Sequence, residues 1–360
     1  MEESFPITIH PGLLPDEAAQ VVFFDIETTG FSGQSAFIYL IGCIYHKEGT
    51  WKLRQWFLDD IRTEKELLLS FFSFIRSYTW LIHFNGAAFD IPFIEKRLAR
   101  YQISRSFSFF ETLDLYKEIK PYKKALGLEG LKQKNLEQFL GIHREDSYTG
   151  GELIDVYYSY MDTHKKELLD CLLLHNADDL RGMLSILPLH GLALLLRGCF
   201  EIIDCKEEPG QIAGRDGCQT ACSHLHFTLS CSLPLPAGLT VSQEYAELVI
   251  ESHMISIYVP ITEETLKYFY KNYKDYYYLP AEDMAIHKSV AAFVDKAYRK
   301  AATQAVCYTK RHSKYLPLKD STFAEAVFLR KYKDKACFME LTDAFMTEKE
   351  LQKKYLLQLF

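Results

Sequence analysis

Residues 21–27 read Val-Val-Phe-Phe-Asp-Ile-Glu, and the fold follows from how this stretch must lie. Val21 to Phe24 is a continuous apolar, β-favouring run, as a strand buried on both faces requires. Asp25 and Glu27 follow two residues apart, so on a strand both carboxylates leave the same face. Two acids held that close repel unless a cation sits between them or one takes up a proton. Hard divalent cations such as Mg²⁺ and Mn²⁺ prefer carboxylate oxygen, and paired metals commonly drive phosphodiester cleavage. Alone, however, an Asp-x-Glu at a strand end is more often the start of a loop with solvated acids.

Two further stretches change that balance. Asn85-Gly-Ala-Ala-Phe-Asp90 follows Trp80-Leu-Ile82, and His175-Asn-Ala-Asp-Asp179 lies inside an apolar, helix-like run. Each has a bland reading. Asn85-Gly86 is an ordinary exit from a strand into a turn. Asp90 is a helix N-terminal acid helped by the dipole. His175 and Asp179, four apart, share one helix face as a surface pair would. The three motifs in this order, with these gaps, are far more specific than any one of them.

Together they resemble the motifs of a DEDD-type 3′→5′ exonuclease on a ribonuclease-H-like fold. Over residues about 18–195 the chain is similar to the bacterial YprB-type group of ribonuclease-H-like exonucleases, through GQSAFIYLIGCIYHKEGTWKLRQWFLDD, HFNGAAFDIPFIEKRLARY, LKQKNLEQFLGIHRED and the HN-x-x-D ending. The resemblance implies an enzyme that places a 3′-terminal phosphodiester across two Mg²⁺ or Mn²⁺ ions about 4 Å apart. Asp25, Glu27, Asp90 and Asp179 would hold the ions, with Asp25 bridging. His175 would be the general base or orient the water, its unperturbed pKa lying close to working pH. Thr28 and Asn85 would touch substrate. His-type exonucleases place their His five residues before the last Asp and Tyr-type ones a Tyr four before, whereas here a His stands at the Tyr spacing. Asp178 would point about 100° away from Asp179 on a helix, and Asp114 reads as a structural acid near the site. DNA more than RNA, a role in repair or turnover, and a helicase partner are likewise implications of the resemblance alone.

Composition fits a soluble protein with two cores: 360 residues, 48% hydrophobic. The N-terminus, Met-Glu-Glu-Ser, is acidic where a signal peptide is basic. The longest apolar candidate span, Met183 to Leu196, is interrupted by Ser185, Pro188 and His190, so no membrane segment is expected. Nine irregularly spaced cysteines imply reduced thiols and a cytoplasmic location. The net charge of −7 does not advertise a polyanion-binding protein, but a carboxylate cluster that binds metals contributes to that sum.

The expected architecture is α/β: a mixed sheet flanked by helices over 1–200, a linker at 201–225, and a small α+β accessory domain over 226–360. Strands are predicted at Val21–Glu27, Ala36–Tyr45, Trp51–Leu58 and Trp80–Phe84. Helices are predicted at Glu64–Arg76, Ile91–Tyr101, Leu128–Leu140 and Glu152–Ser185. In the C-terminal part, strands are predicted at His226–Leu235 and Tyr245–Pro260, and helices near Glu263–Tyr273 and at Glu282–Ala302. Cys205, Cys218, Cys222, His224, His226 and Cys231 lack the paired ligand couples of zinc modules and read as loop thiols. Tyr276–Tyr278 reads as core filling before a base-stacking platform. From Lys296 to Lys335, basic residues outnumber the acids Asp320, Glu325 and Asp334, with tyrosines interleaved. A solvated helix face is one explanation. The other is that Lys310, Arg311 and Lys314 bind nucleic-acid phosphates.

A retained but idle nuclease fold acting as a binding or adaptor module is the alternative to an enzyme; its signature would be a missing carboxylate, and none is missing. A polymerase proofreading domain would need a polymerase palm that the remaining sequence does not show.

Overall fold

The computed structural model describes residues 2–5, 8–142, 148, 150–213, 219–251 and 254–360. The chain divides into two compact units, 1–195 with 232–236, and 196–231 with 237–360.

The first unit is built on six strands: β1 (Glu2–Phe5), β2 (Val21–Thr28), β3 (Ile38–Lys47), β4 (Thr50–Phe57), β5 (Trp80–His83) and β6 (Glu111–Asp114). Their order is β1-β4-β3-β2-β5-β6. The β2–β3 and β3–β4 pairs are antiparallel, while β5 lies parallel to β2 and β6 parallel to β5. This is the mixed sheet flanked by helices that the sequence predicts. β2 is central, with partners on both edges, and the side chains of Val21 to Phe24 are fully buried. The helices are α1 (Glu64–Ile75), α2 (Asp90–Arg100), α3 (Leu115–Ile119), α4 (Gln133–Phe139), α5 (Gly150–Thr163), α6 (Lys166–Ser185) and α7 (Leu187–Leu196). α1 buries Leu67, Leu68, Phe71, Phe72 and Ile75 at helical spacing. Phe24 meets Phe71 and Phe107 with ring centroids 6.0 Å apart.

A buried ion pair ties three of these elements together. Glu64, fully buried at the start of α1, accepts from Arg97 Nε of α2 at 2.8 Å and from the Ile38 N–H of β3 at 2.9 Å. Its second oxygen accepts from Arg97 Nη2 and from the Tyr101 hydroxyl. Every lone pair of the carboxylate therefore has a use, which is the condition for a charge to sit inside.

Two helices differ from expectation. The run Glu152–Ser185 is two helices, because His164 takes a left-handed φ of 50° and Lys165 is extended. The helix expected at Leu128–Leu140 begins only at Gln133, after an extended Lys132. The helical run Lys166–Leu196 is long and apolar enough to cross a membrane, but 72% of its most apolar window is buried inside the protein.

The second unit is β-rich. β7 (Glu201–Ala213) and β8 (Gln219–Ser230) pair along their length, so the expected linker 201–225 is instead a long antiparallel hairpin. Its polar, Gly-containing sequence reads as linker because ladder hydrogen bonds, and not apolar side chains, hold much of it. β9 (Leu239–Ser242), β10 (Glu247–Glu251) and β11 (Met254–Phe269) follow. β12 (Tyr276–Leu279), β13 (Met284–His287) and β14 (Lys300–Ala301) form a separate three-stranded sheet. β15 (Tyr308–Leu318), β16 (Phe328–Leu329) and β17 (Cys337–Glu340) complete the larger one, ahead of α8 (Asp343–Thr347) and α9 (Lys349–Leu359).

The helix expected near Glu263–Tyr273 is the second half of β11, paired with β15 from Thr262 to Phe269. The helix expected at Glu282–Ala302 is β13, two 3₁₀ turns and β14. Here Asp283, at a left-handed φ of 51°, accepts from the hydroxyls of Tyr278 and Tyr308 and from Lys310. Those three partners fix a turn where the Ala-rich sequence favours a helix.

Replacing Arg97 with Met should leave the Glu64 charge buried without its partner and lower stability by about 3–5 kcal/mol. Urea unfolding would show this as a lower midpoint; an unchanged midpoint would mean that the pair is dispensable.

Candidate active site

The site lies at the C-terminal end of β2. Asp25 is half-buried and Ile26 is buried, so the strand alternation presents Asp25 and Glu27 on the face opposite Ile26. Asp25 faces Gly42 across the β2–β3 ladder, and Gly42 faces Gln55 of β4. The glycine is required there: a Cβ would lie 2.0 Å from Asn176 Oδ1 of α6. In the space so opened, Asn176 Nδ2 donates to Asp25 Oδ2 at 3.0 Å. Gln55 Nε2 in turn donates to Asn176 Oδ1 at 3.0 Å and to the Leu173 carbonyl at 2.8 Å. Asn176 is fully buried, and its hydrogen bonds fix one oxygen of Asp25. Sequence reasoning passed over Asn176, Gln55 and Gly42; the HN pair in the last motif was the available signal.

Asp90 reaches the site through a tight turn. Asn85 adopts a left-handed φ of 60° and its N–H donates to Asp114 Oδ1 at 2.8 Å. The Gly86 N–H donates to His83 Nδ1 at 3.1 Å, and a Cβ at Gly86 would meet the His83 ring at 2.8 Å. α2 then starts at Asp90, whose Oδ1 accepts from the Ile26 N–H at 3.3 Å. Asp114 also caps α3 by accepting from the Tyr116 N–H at 3.1 Å, which agrees with its reading as a structural acid.

His175 and Asp179 come from α6. His175 Nε2 lies 3.5 Å from Asp179 Oδ2 and 3.7 Å from Glu27 Oε1, and its side chain is 6% exposed. Glu27, His175 and Asp179 offer ligand atoms within 4.8 Å of one another. A cleft of about 500 Å³ is lined by Asp25, Asp90 and Asp179, whereas Glu27 and His175 are not among its walls. The cleft is completed by the aromatic rings of Phe84, Phe89 and Tyr116 and by Asn85, Lys132 and Gln133. Gln133 Nε2 donates to the Asp179 carbonyl at 2.7 Å. Asp178 turns aside to Arg181, 3.4 Å away.

The electrostatics are those of crowded acids. Burial, then the charges of Asp90, Glu27 and Asp179, hold the Asp25 carboxyl well above the usual carboxylate range. Burial likewise pushes Asp90 up to about 7, against the pull of the Ile26 N–H. Such a set suits hard divalent cations: oxygen donors dominate, and bound positive charge would displace the protons these acids otherwise retain. Asp25, Glu27, Asp90 and Asp179 fit that role, with His175 within reach.

The remaining sequence candidates lie elsewhere or act locally. The Thr28 hydroxyl donates to the Gly30 carbonyl at 2.8 Å. In the second unit Lys310 pairs with Asp283 at 3.1 Å, Arg311 with Glu340 at 2.6 Å and Lys314 with Glu207 at 2.8 Å. Their charge is thus largely matched within that unit. Both ring nitrogens of His226 are engaged, by Glu208 at 2.9 Å and Ser256 at 3.0 Å. Cys218 and the Cys222 side chain lie outside the described residues. Tyr276 and Tyr278 pack on a small cluster of Ala285, Ala302 and Cys307, the core role expected of them.

Residues 22–189 match the family model of the RNase_H superfamily. The first unit carries a ribonuclease-H-like fold. A DNA polymerase of Ostreid herpesvirus 1 (isolate France) is 30% identical over 124 residues, 32% of this chain and 6% of that protein. Among solved structures, the family B DNA polymerase of the hyperthermophilic archaeon Pyrobaculum calidifontis is 12% identical, covering 71% of this chain and 35% of that one with a TM-score of 0.38. E. coli exonuclease I in complex with a dA16 oligonucleotide is 14% identical, covering 59% and 54% with a TM-score of 0.26. The chain thus spans only a small part of the curated relative's length and about a third to a half of these structures.

The raised carboxyls have a stability consequence. Folded Asp90 titrates near 7 against 3.8 for the free group, so between these values the folded form binds the extra proton. Its contribution is full below about pH 4 and is lost as pH rises through 7. In EDTA, the melting temperature of the wild type should therefore fall from pH 5 to 8 more steeply than that of Asp90→Asn. Parallel curves would contradict the assigned burial of this charge.

Proposed function

We propose that the chain is a metal-dependent 3′→5′ exonuclease of the YprB-type group, hydrolysing nucleic-acid phosphodiesters, DNA in preference to RNA, in repair or turnover. The observation that carries this reading is the convergence of three carboxylates from three separate motifs, Asp25, Asp90 and Asp179, on one cleft. Two Mg²⁺ or Mn²⁺ ions held by these acids and Glu27 would supply charge neutralisation to the phosphoryl oxygens and lower the pKa of water. Asn176 fixes the rotamer of Asp25 and the Ile26 N–H that of Asp90, so the acids are pre-oriented before substrate arrives. Phe84, Phe89 and Tyr116 offer ring surface to a terminal base, and the Asn85 side chain a polar contact at the same wall. His175 Nε2, 3.7 Å from Glu27 Oε1 and 3.5 Å from Asp179 Oδ2, is placed to hold those two carboxylates as well as to serve as the base. A helicase partner rests on the resemblance alone.

End-labelled single- and double-stranded DNA and RNA, incubated with Mn²⁺ or EDTA, test the reading. The expected result is mononucleotide release from the 3′ end, abolished by EDTA and lowered by orders of magnitude in Asp25→Asn and Asp179→Asn. An intact substrate with folded, Mn²⁺-loaded wild type would leave the idle-fold alternative. His175→Ala should lower kcat. An unaltered shape of the pH–rate profile would leave His175 the holding role alone, and loss of one limb would assign it the general-base role.

A further inference from the structure

A second feature of the first unit extends beyond the carboxylate site. Residues 115–135 read LYKEIKPYKKALGLEGLKQKN, with Lys117, Lys120, Lys123, Lys124, Lys132 and Lys134 against only Glu118 and Glu129. This local excess of four positive charges stands in a chain whose net charge is −7. Glu118 faces His190 at 3.4 Å with its side chain only 18% exposed, so it does little to offset the lysines at the surface. Lys120, Lys123 and Lys124 are exposed, and none makes an ion pair among the described residues. They contrast with Lys310, Arg311 and Lys314, each of which has an acidic partner.

These three lysines line a groove of about 550 Å³ together with Pro121, Gly127 and Leu128. The groove adjoins the carboxylate cleft through one side chain. Tyr116 lines the cleft, and Lys120 Nζ lies 5.4 Å from the centroid of its ring. Lys132, at the other end of the same segment, lines the cleft itself. A short helix, a 3₁₀ turn and the residues just after it thus carry cations without acidic partners among the described residues, with the Tyr116 ring joining them to the cleft.

We propose that the Lys120–Lys124 groove is a phosphate track that holds the backbone of a single strand whose 3′ end lies in the carboxylate cleft. Crowded acids repel a polyanion, and metals offset this only at the scissile phosphate. Binding several nucleotides requires positive charge nearby, and the Lys120, Lys123 and Lys124 groove supplies it without acidic partners among the described residues. The chemistry recognised is the phosphodiester backbone, common to DNA and RNA, so the track adds affinity and not sequence preference. The proposal rests on the exonuclease reading for the position of the 3′ end, but not for the binding itself.

The test uses the full chain and a fluorescent 20-nucleotide single strand. Affinity is measured in EDTA across a salt series, and KM in Mn²⁺. In Lys120→Gln/Lys123→Gln/Lys124→Gln, affinity at 0.1 M salt should fall by about tenfold and the log–log salt slope by about two units, at roughly 0.7 per phosphate lost. KM for the 20-mer should rise more than kcat falls. The matching triple Lys→Arg variant should keep the wild-type slope, and each single Lys→Gln variant should lose about a third of the change. Circular dichroism and melting curves establish that the variants are folded. An unchanged slope in the folded triple Gln variant would overturn the track and leave the groove to a protein partner. Wild type that binds with a steep slope but does not hydrolyse would instead overturn the exonuclease reading and leave the track standing.

Discussion

Repulsion between carboxylates in a partly dry cleft is the constraint around which the first unit is organised. Asp25, Glu27, Asp90 and Asp179 would separate, or point into water, if their backbones were free. They cannot, because Asp25 and Glu27 belong to the central strand of the sheet, and Asp90 and Asp179 to helices packed against it. The hydrophobic core supplies the force that holds like charges together, and burial, with the neighbouring charges adding to it, raises the carboxyls of Asp25 and Asp90. A cation is the simplest way to relieve it without losing the geometry. In the proposed reading this strain would favour metal binding, with the protein fold as its counterweight.

The buried Gln55–Asn176–Asp25 chain shows how finely that geometry is kept. Three elements contribute one residue each, and the register that places Gly42 between Asp25 and Gln55 leaves the gap through which Asn176 passes. The same helix that delivers Asn176 delivers His175 and Asp179, so one helix placement sets three contacts. The altered spacing of His175 has a structural consequence here. Four residues before Asp179, it stands between that acid and Glu27.

Much of the first unit is legible in the sequence because its signals are local. An apolar run ended by two acids, a strand followed by Asn-Gly, and an amphipathic helix each declare themselves within about ten residues. β6 and the α5–α6 break are not, since a four-residue strand and a left-handed His164 leave little pattern. Asn176, Tyr116 and Lys132 belong to the site only by virtue of the tertiary fold. In the second unit the two misplaced helices have one cause. Segments such as Ile261–Phe269 and Met284–Ala302 contain good helix formers, and pairing with β15 or the Asp283 turn overrides them. In the basic stretch Lys296–Lys335, the acidic partners of Lys310, Arg311, Lys314 and Arg330 are not legible, because they are distant in sequence and adjacent in space.

The central claim is that the crowded acids are a site for paired divalent metals. Crystals grown or soaked with Mn²⁺ and measured at the manganese absorption edge test it directly. The account predicts two anomalous peaks in the cleft, both within coordination distance of Asp25, with Glu27, Asp90 and Asp179 as the other ligands. A cleft without peaks at millimolar Mn²⁺, or a single ion held only by His175 and surface acids, would contradict it.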